Sequence, residues 1–175
     1  MIREPRTDEL ERLREIERAA GLLFQTVGMD DIAAHEPLSV EELAGYVRDD
    51  RIWVLVHDDA IVGYVLADVV DGVAHLEQLS VMPEYGRRGY GAALLGRVCA
   101  WAQQRDLNAV TLTTFEQVPW NGPYYARHGF RVLAEDEIGP ELRRLRDEEA
   151  THGLDRDLRV CMRRELVIAR PHVSS

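Results

Sequence analysis

The sequence contains no lysine, and its 21 basic residues are all arginine. That excludes a lysine Schiff base, a lysine-anchored pyridoxal cofactor and a Walker-type phosphate-binding lysine. Cysteine is nearly absent too. Cys99 and Cys161 come without a CxxC pair or clustered histidines, so neither a disulfide framework nor a metal site is expected, and both read as small buried apolar residues. No apolar run approaches the ~18 residues that span a bilayer. Met1-Ile2-Arg3-Glu4-Pro5 lacks the charged-then-apolar pattern of a signal peptide, which predicts a cytoplasmic protein with no membrane partner. A basic face is missing as well. The 31 acidic residues set the formal net charge at −10, so no hold on nucleic acid is expected and any anion must be held locally.

The 175 residues are 46% hydrophobic, enough for one core. No repeat or linker divides the chain, which reads as one domain over 1–168 with a polar tail at 169–175. Leu10, Leu13, Ile16, Ala19 and Ala20 recur at helical spacing behind Thr7, an N-cap candidate, with a stop at Gly21. Ser39 with Glu42 three residues on predicts a capping box opening a second helix over 39–49. Strand-like runs follow at 52–57, 61–70 and 73–82, joined by Asp58-Asp59 and Asp71-Gly72, the mark of an antiparallel meander. Residues 89–105 return to helical periodicity. A strand at 109–114, a short helix at 124–128, a strand at 130–133, a polar helix between Pro140 and Gly153, and a last strand at 157–166 complete the order β-α-α-β-β-β-α-β-α-β-α-β. The class is α/β with a mixed sheet.

The most informative segment is Leu79-Ser80-Val81-Met82-Pro83-Glu84-Tyr85-Gly86-Arg87-Arg88-Gly89-Tyr90-Gly91-Ala92. A strand runs through a glycine-rich turn straight into a helix, so free N–H groups and the positive end of the helix dipole converge. Residues 83–105 hold four arginines and one acid, so positive charge is concentrated where it is otherwise scarce. A tight strand-to-helix turn alone accounts for the glycines but not for Arg87 and Arg88. A Rossmann dinucleotide site does not fit: GxGxxG is absent, the preceding strands are joined by hairpins, and no acid follows at the required distance.

These residues resemble the pyrophosphate loop of the GNAT acyltransferases, Q/R-x-x-G-x-G/A between a strand and the central helix. Gly89 and Gly91 match its two small positions, and Gly86 stands where the family has Gln or Arg. Asn121-Gly122-Pro123-Tyr124-Tyr125-Ala126-Arg127-His128-Gly129-Phe130 resembles the family's N-x-x-x-Y-x-x-x-G-F stretch. The resemblance runs from about Ile2 to Leu166. It implies a GNAT fold, with a mostly antiparallel sheet of six to seven strands flanked by helices, and transfer of acetyl from acetyl-CoA to a primary amine in a ternary complex.

The resemblance also implies roles for particular residues. Main-chain groups of Leu79, Ser80 and Val81 would hold the pantetheine arm and acetyl carbonyl, N–H groups from Arg87 through Arg88, Gly89, Tyr90 and Gly91 to Ala92 the pyrophosphate, and Asn121 the pantetheine. Asn121 reads equally as a helix N-cap. Tyr125 falls where the family places a tyrosine on the coenzyme sulfur, and Tyr124 reads as packing, with Phe115 and Trp120 as wall or core. Glu77 and His75 occupy the two places from which relatives draw the base, Glu77 first. Either also reads as a polar residue on a solvent face. Strand alternation puts His75, Glu77, Leu79 and Val81 on one face. A non-catalytic acyl-CoA-binding module on the same fold is the rival reading.

The acceptor is a small molecule or a peptide, framed by 24–38 and 138–157, and homodimerisation, common in the family, is left open. Residues 1–50 hold 13 acids against 6 arginines, and 134–157 hold 9 against 4, which points to a cationic amine. Asp30, Asp31 and Glu36 stand out because they lie between helices.

Overall fold

Elements follow one another as the sequence pattern predicts, with one short helix added. The computed structural model, which describes residues 1–155 and 157–169, runs β1 (Ile2–Arg3), α1 (Leu10–Gly21), α2 (Asp30–Ala33), α3 (Val40–Arg48), β2 (Ile52–His57), β3 (Ala60–Val70), β4 (Val73–Val81), α4 (Tyr90–Gln104), β5 (Ala109–Phe115), α5 (Gly122–Arg127), β6 (Arg131–Val132), α6 (Pro140–Thr151) and β7 (Arg159–Glu165). The strands form one sheet in the order β1-β2-β3-β4-β5-β7-β6. Among the described residues only β4 and β5 pair in parallel. Beyond Ala169, the tail expected at 169–175 lies outside the described residues. So the chain is a mixed α/β protein with a seven-stranded, mostly antiparallel sheet.

Local chemistry explains the ends of these elements. The Ser39 hydroxyl accepts the Glu42 N–H at 3.1 Å while the Glu42 carboxylate accepts the Ser39 N–H at 2.8 Å, closing the expected box. At α1 the cap differs from expectation. Thr7 lies inside a turn of 3-10 helix, and the Glu9 carboxylate accepts the Arg6 N–H at 2.8 Å. Arg3 holds that carboxylate at 2.8 Å, which lowers its pKa to about 2. Both meander turns put two consecutive residues at positive φ, Asp58 with Asp59 and Asp71 with Gly72, as right-twisted hairpins require. Asp71 then reaches across to accept the N–H groups of Glu141 and Leu142 at 2.9 and 3.0 Å, anchoring the start of α6.

Two apolar clusters cover the two faces of the sheet. On one, Leu94, Leu95 and Val98 of α4 pack on Val65, Ala67, Ala74 and Leu76; on the other, Leu10, Leu13 and Ile16 of α1 and Leu43 of α3 pack on Ile52, Val54, Tyr64 and Leu66. Each buried leucine contributes roughly 1.5–3 kcal/mol, and truncating Leu13 to alanine would cost ~2–5 kcal/mol. Cys99 and Cys161 are free and buried.

One expectation about the sheet is overturned. Leu66 pairs with Gln78 but Ala67 pairs with Leu76, so Glu77 is an extra residue bulging from β4. The bulge switches the strand's phase. Leu79 and Val81 pack toward α4, whereas His75 lies opposite Asp68 on the α1 and α3 side, with Glu77 3.7 Å from its ring. His75 and Glu77 therefore do not share a face with Leu79 and Val81.

Candidate active site

A cleft of about 350 Å³ opens where β4 runs into α4. Leu79, Ser80 and Val81 form its floor, and Arg87, Gly89, Tyr90, Gly91 and Ala92 form one end. Arg87 and Gly89 both take left-handed backbone, with φ of 60° and 80°, a conformation that turns successive N–H groups inward. The first hydrogen bond of α4 is Ala93 N–H to the Gly89 carbonyl at 3.0 Å. The N–H groups of Tyr90, Gly91 and Ala92 therefore have no helical acceptor and point out of the helix end with its positive dipole. A Cβ at Gly89 would meet nothing within 4 Å, but one at Gly91 would lie 2.8 Å from the Tyr124 hydroxyl. Gly89 is needed for its backbone angle, while Gly91 makes room for Tyr124 as well as for a ligand.

The other wall comes from α5. Tyr124, Tyr125 and His128 line the cleft with Trp120. The Tyr125 ring lies edge-on to Tyr124 at 5.3 Å and to Phe130 at 5.7 Å, which fixes its direction. Burial pushes its phenol well above the usual range, so it stays a neutral O–H donor. Tyr124 is more than packing, because its hydroxyl meets the first turn of α4. Four sequence candidates, Arg88, Asn121, His75 and Glu77, lie apart from the cleft lining. Arg88 stacks on Tyr85, 5.1 Å from its centroid. Asn121 accepts the Thr114 hydroxyl at 2.7 Å through Oδ1 and makes no side-chain cap, so its carbonyl serves β5. His75 is 1% exposed.

β4 and β5 part beside this cleft. Their pairing is confined to Ala74 with Val110 and His75 with Thr111, although both strands continue. On the far face of the parting lies a charged layer. His75 Nδ1 is 2.9 Å from the Thr111 hydroxyl, and Nε2 faces Glu77 at 3.7 Å. Burial lowers His75 to about 4. Burial, Asp68 and Glu149 raise Glu77 to about 7, against the pull of Arg159. Arg159 donates to the Thr113 carbonyl at 3.0 Å and pairs with Glu149 at 3.4 Å. Tyr64 donates to Glu17 at 2.6 Å, and Tyr46 donates to Asp68 at 2.8 Å. A carboxyl poised near neutrality amid these partners suits proton transfer.

The segments expected to frame an acceptor meet nearby. Phe24 lies 5.5 Å from both Trp120 and Phe115. Beyond Phe115, Asp30, Asp31 and Asp155 line a cavity of about 360 Å³. Glu36 differs from the two aspartates, since it pairs with Arg18 at 3.3 Å. Among the described residues no group of three or more His, Cys, Asp or Glu side chains could hold a metal, and no helix is long and apolar enough to cross a membrane.

The sequence model of the Acetyltransferase (GNAT) family matches residues 10–130, and the chain belongs to that family. Among solved structures, it resembles the N-acetylglutamate synthase of Neisseria gonorrhoeae in complex with coenzyme A and N-acetylglutamate (TM-score 0.73, 21% identity), over 95% of this chain but 35% of the synthase. The PaiA N-acetyltransferase of Thermoplasma acidophilum, in complex with coenzyme A, matches at TM-score 0.65 and 16% identity over 94% of this chain and 98% of that one. The ribosomal-protein-S18-alanine N-acetyltransferase of Escherichia coli matches at 0.66 and 17% over 100% and 99%. At these identities the likeness concerns the fold.

Proposed function

We propose that the protein transfers an acetyl group from acetyl-CoA to a primary amine. The observation that carries this reading is the single cleft that joins the N–H groups at the start of α4 to the Tyr125 hydroxyl along the floor of β4. The pyrophosphate sits on the N–H groups from Arg87 to Ala92, with Arg87 beside it, as anions do at helix N-termini. The pantetheine arm lies along Leu79 to Val81, whose main chain is open where β5 departs. That places the thioester at the parting of the strands, with α5 on one side and Glu77 on the other.

The amine approaches from the Glu77 face, and Glu77 takes a proton from its ammonium form. The freed nitrogen attacks the thioester carbonyl: the C–N bond forms, the C–S bond breaks, and the electron pair leaves on sulfur. Tyr125, held neutral by burial, donates its O–H to that thiolate. Asp30, Asp31 and Asp155 beyond Phe115 favour a cationic acceptor by their field.

Thiol release from acetyl-CoA with a panel of amines tests the reading. Turnover is expected with a polyamine or basic peptide in preference to free glutamate, with KM for the cation rising with salt. Faster turnover of glutamate, or no salt effect, would refute the cationic acceptor. Tight acetyl-CoA binding without thiol release for any amine would instead mark a binding module.

A further inference from the structure

We propose that His75 is a positioning residue for Glu77: Thr111 fixes its tautomer so that the ring presents an unprotonated Nε2 to the Glu77 carboxyl and stabilises that carboxyl in its acid form. This rests on the reading of Glu77 as the base, but it is argued from the buried face of the sheet. The ring is 1% exposed, so each of its nitrogens must be accounted for by protein groups. Nδ1 is 2.9 Å from Thr111 Oγ1. That hydroxyl has one proton, and the Ala74 carbonyl lies 3.4 Å away as its acceptor. A carbonyl can only accept, so the Thr111 proton goes to Ala74 and the hydroxyl lone pair takes the Nδ1–H. A neutral ring protonated at Nδ1 has its lone pair at Nε2, and Nε2 is the atom 3.7 Å from Glu77 Oε2.

Charge decides which partner carries the proton the pair can share. Glu77 is faced by Asp68 of β3, Glu149 of α6, Glu17 of α1 and Arg159 of β7, and it acts in turn on Tyr46 of α3 and Tyr64 of β3. Three carboxylates against one guanidinium disfavour an anion at Glu77, and burial disfavours an imidazolium at His75. A proton held by the pair therefore sits on Glu77 and not on His75, and Glu77 enters the reaction as the carboxylate. During the reaction the proton leaves the substrate nitrogen for Oε2, and the new O–H closes on the waiting lone pair. His75 gains no proton and touches no substrate. It stabilises the form of Glu77 that the reaction produces.

Thr111→Val removes the acceptor of Nδ1–H. The ring then reverses its tautomer and donates Nε2–H to the Glu77 carboxylate, which favours the opposite form. The acid limb of the kcat/KM profile is expected to move down by about one pH unit, a tenfold change in proton affinity. Thr111→Ser should keep the wild-type limb. Nitrogen chemical shifts of the His75 ring report the tautomer without any activity, and the carboxyl carbon shift of Glu77 reports its titration. Protonated Nδ1 in wild type and Thr111→Ser, with a downward shift of the Glu77 titration in Thr111→Val, supports the proposal. Protonated Nε2 in the wild-type ring would overturn it even if Thr111→Val fails to fold, as would an unmoved Glu77 titration in folded Thr111→Val. Absence of thiol release with the wild-type tautomer and titration as stated would fail the acyltransferase reading and leave this coupling standing.

Discussion

Replacing Glu77 by glutamine keeps the side chain's size and removes a carboxyl whose ionisation the fold resists. Burial and the carboxylates of Asp68 and Glu149 hold that group at about 7, against an ordinary value of 4.5. A folded-state value raised above the unfolded one means that the folded protein keeps the extra proton between the two. The stability this proton confers is full below 4.5 and is lost as pH rises through 7. Above that range the wild type carries the whole penalty, at most about 3 kcal/mol at ~1.36 kcal/mol per unit. Water reaching the 29% of the side chain that is exposed screens this to about 1–2 kcal/mol. Glutamine carries no such penalty. At roughly 2–4 °C per kcal/mol for a domain of this size, Glu77→Gln should melt ~2–8 °C above wild type at pH 8, with little difference at pH 4.5. His75 has the opposite sign, losing stability as pH falls from 6.5 toward about 4, so at pH 8 it is neutral in both proteins and leaves the comparison there untouched. Circular-dichroism melts at several pH values, beside thiol-release rates, make the measurement. A wild type as stable as Glu77→Gln at pH 8 would refute the electrostatic account of this carboxyl.

Tyr125→Phe should lower kcat by roughly 10- to 10⁴-fold with acetyl-CoA affinity nearly unchanged, since the hydroxyl acts on the leaving thiolate; full activity would remove it from the mechanism. Gly91→Ala should weaken acetyl-CoA binding roughly tenfold by pushing on the Tyr124 hydroxyl. Tyr124→Phe should restore much of that affinity, because the added Cβ would lie 2.8 Å from Oη but 3.6 Å from Cζ; calorimetry on the double-mutant cycle decides it. Arg87→Glu should cost more acetyl-CoA affinity than Arg88→Glu and flatten its salt dependence, because Arg87 lines the cleft whereas Arg88 lies over Tyr85. Equal losses would move the phosphate contact to Arg88.

The order of elements was legible because caps and turns are local chemistry: Ser39 with Glu42, Asp58-Asp59 and Asp71-Gly72 each determine their own geometry. The glycine turn was legible for the same reason. The face occupied by His75 and Glu77 was not, because a period-2 reading carries a phase error past any bulge. The trace of the bulge is the spacing of apolar residues in β4, where Ala74 and Leu76 share one parity and Leu79 and Val81 the other. Tyr124 and Asn121 exchanged importance for a different reason. Their roles depend on how α5 docks against α4 and β5, a tertiary contact with no local signature. The distinction between Glu36 and the pair Asp30 and Asp31 likewise required knowing that α1 brings Arg18 within reach.

The parting of β4 from β5 gives this sheet an unpaired edge in its interior. Most proteins blunt their outer edges with charge or bulges; here the exposed ladder is internal, and the proposed function fills it with the coenzyme. An extended amide-bearing arm laid along Leu79 to Val81 would act as a replacement strand. Folding and loading are then linked: those amides of β4 beyond His75 that point away from β3 should exchange with solvent in the empty protein and become protected when acetyl-CoA is present, and the melting temperature should climb with cofactor concentration. In a cell, starvation for the acyl donor would then be felt as a loss of conformational stability as well as a loss of turnover.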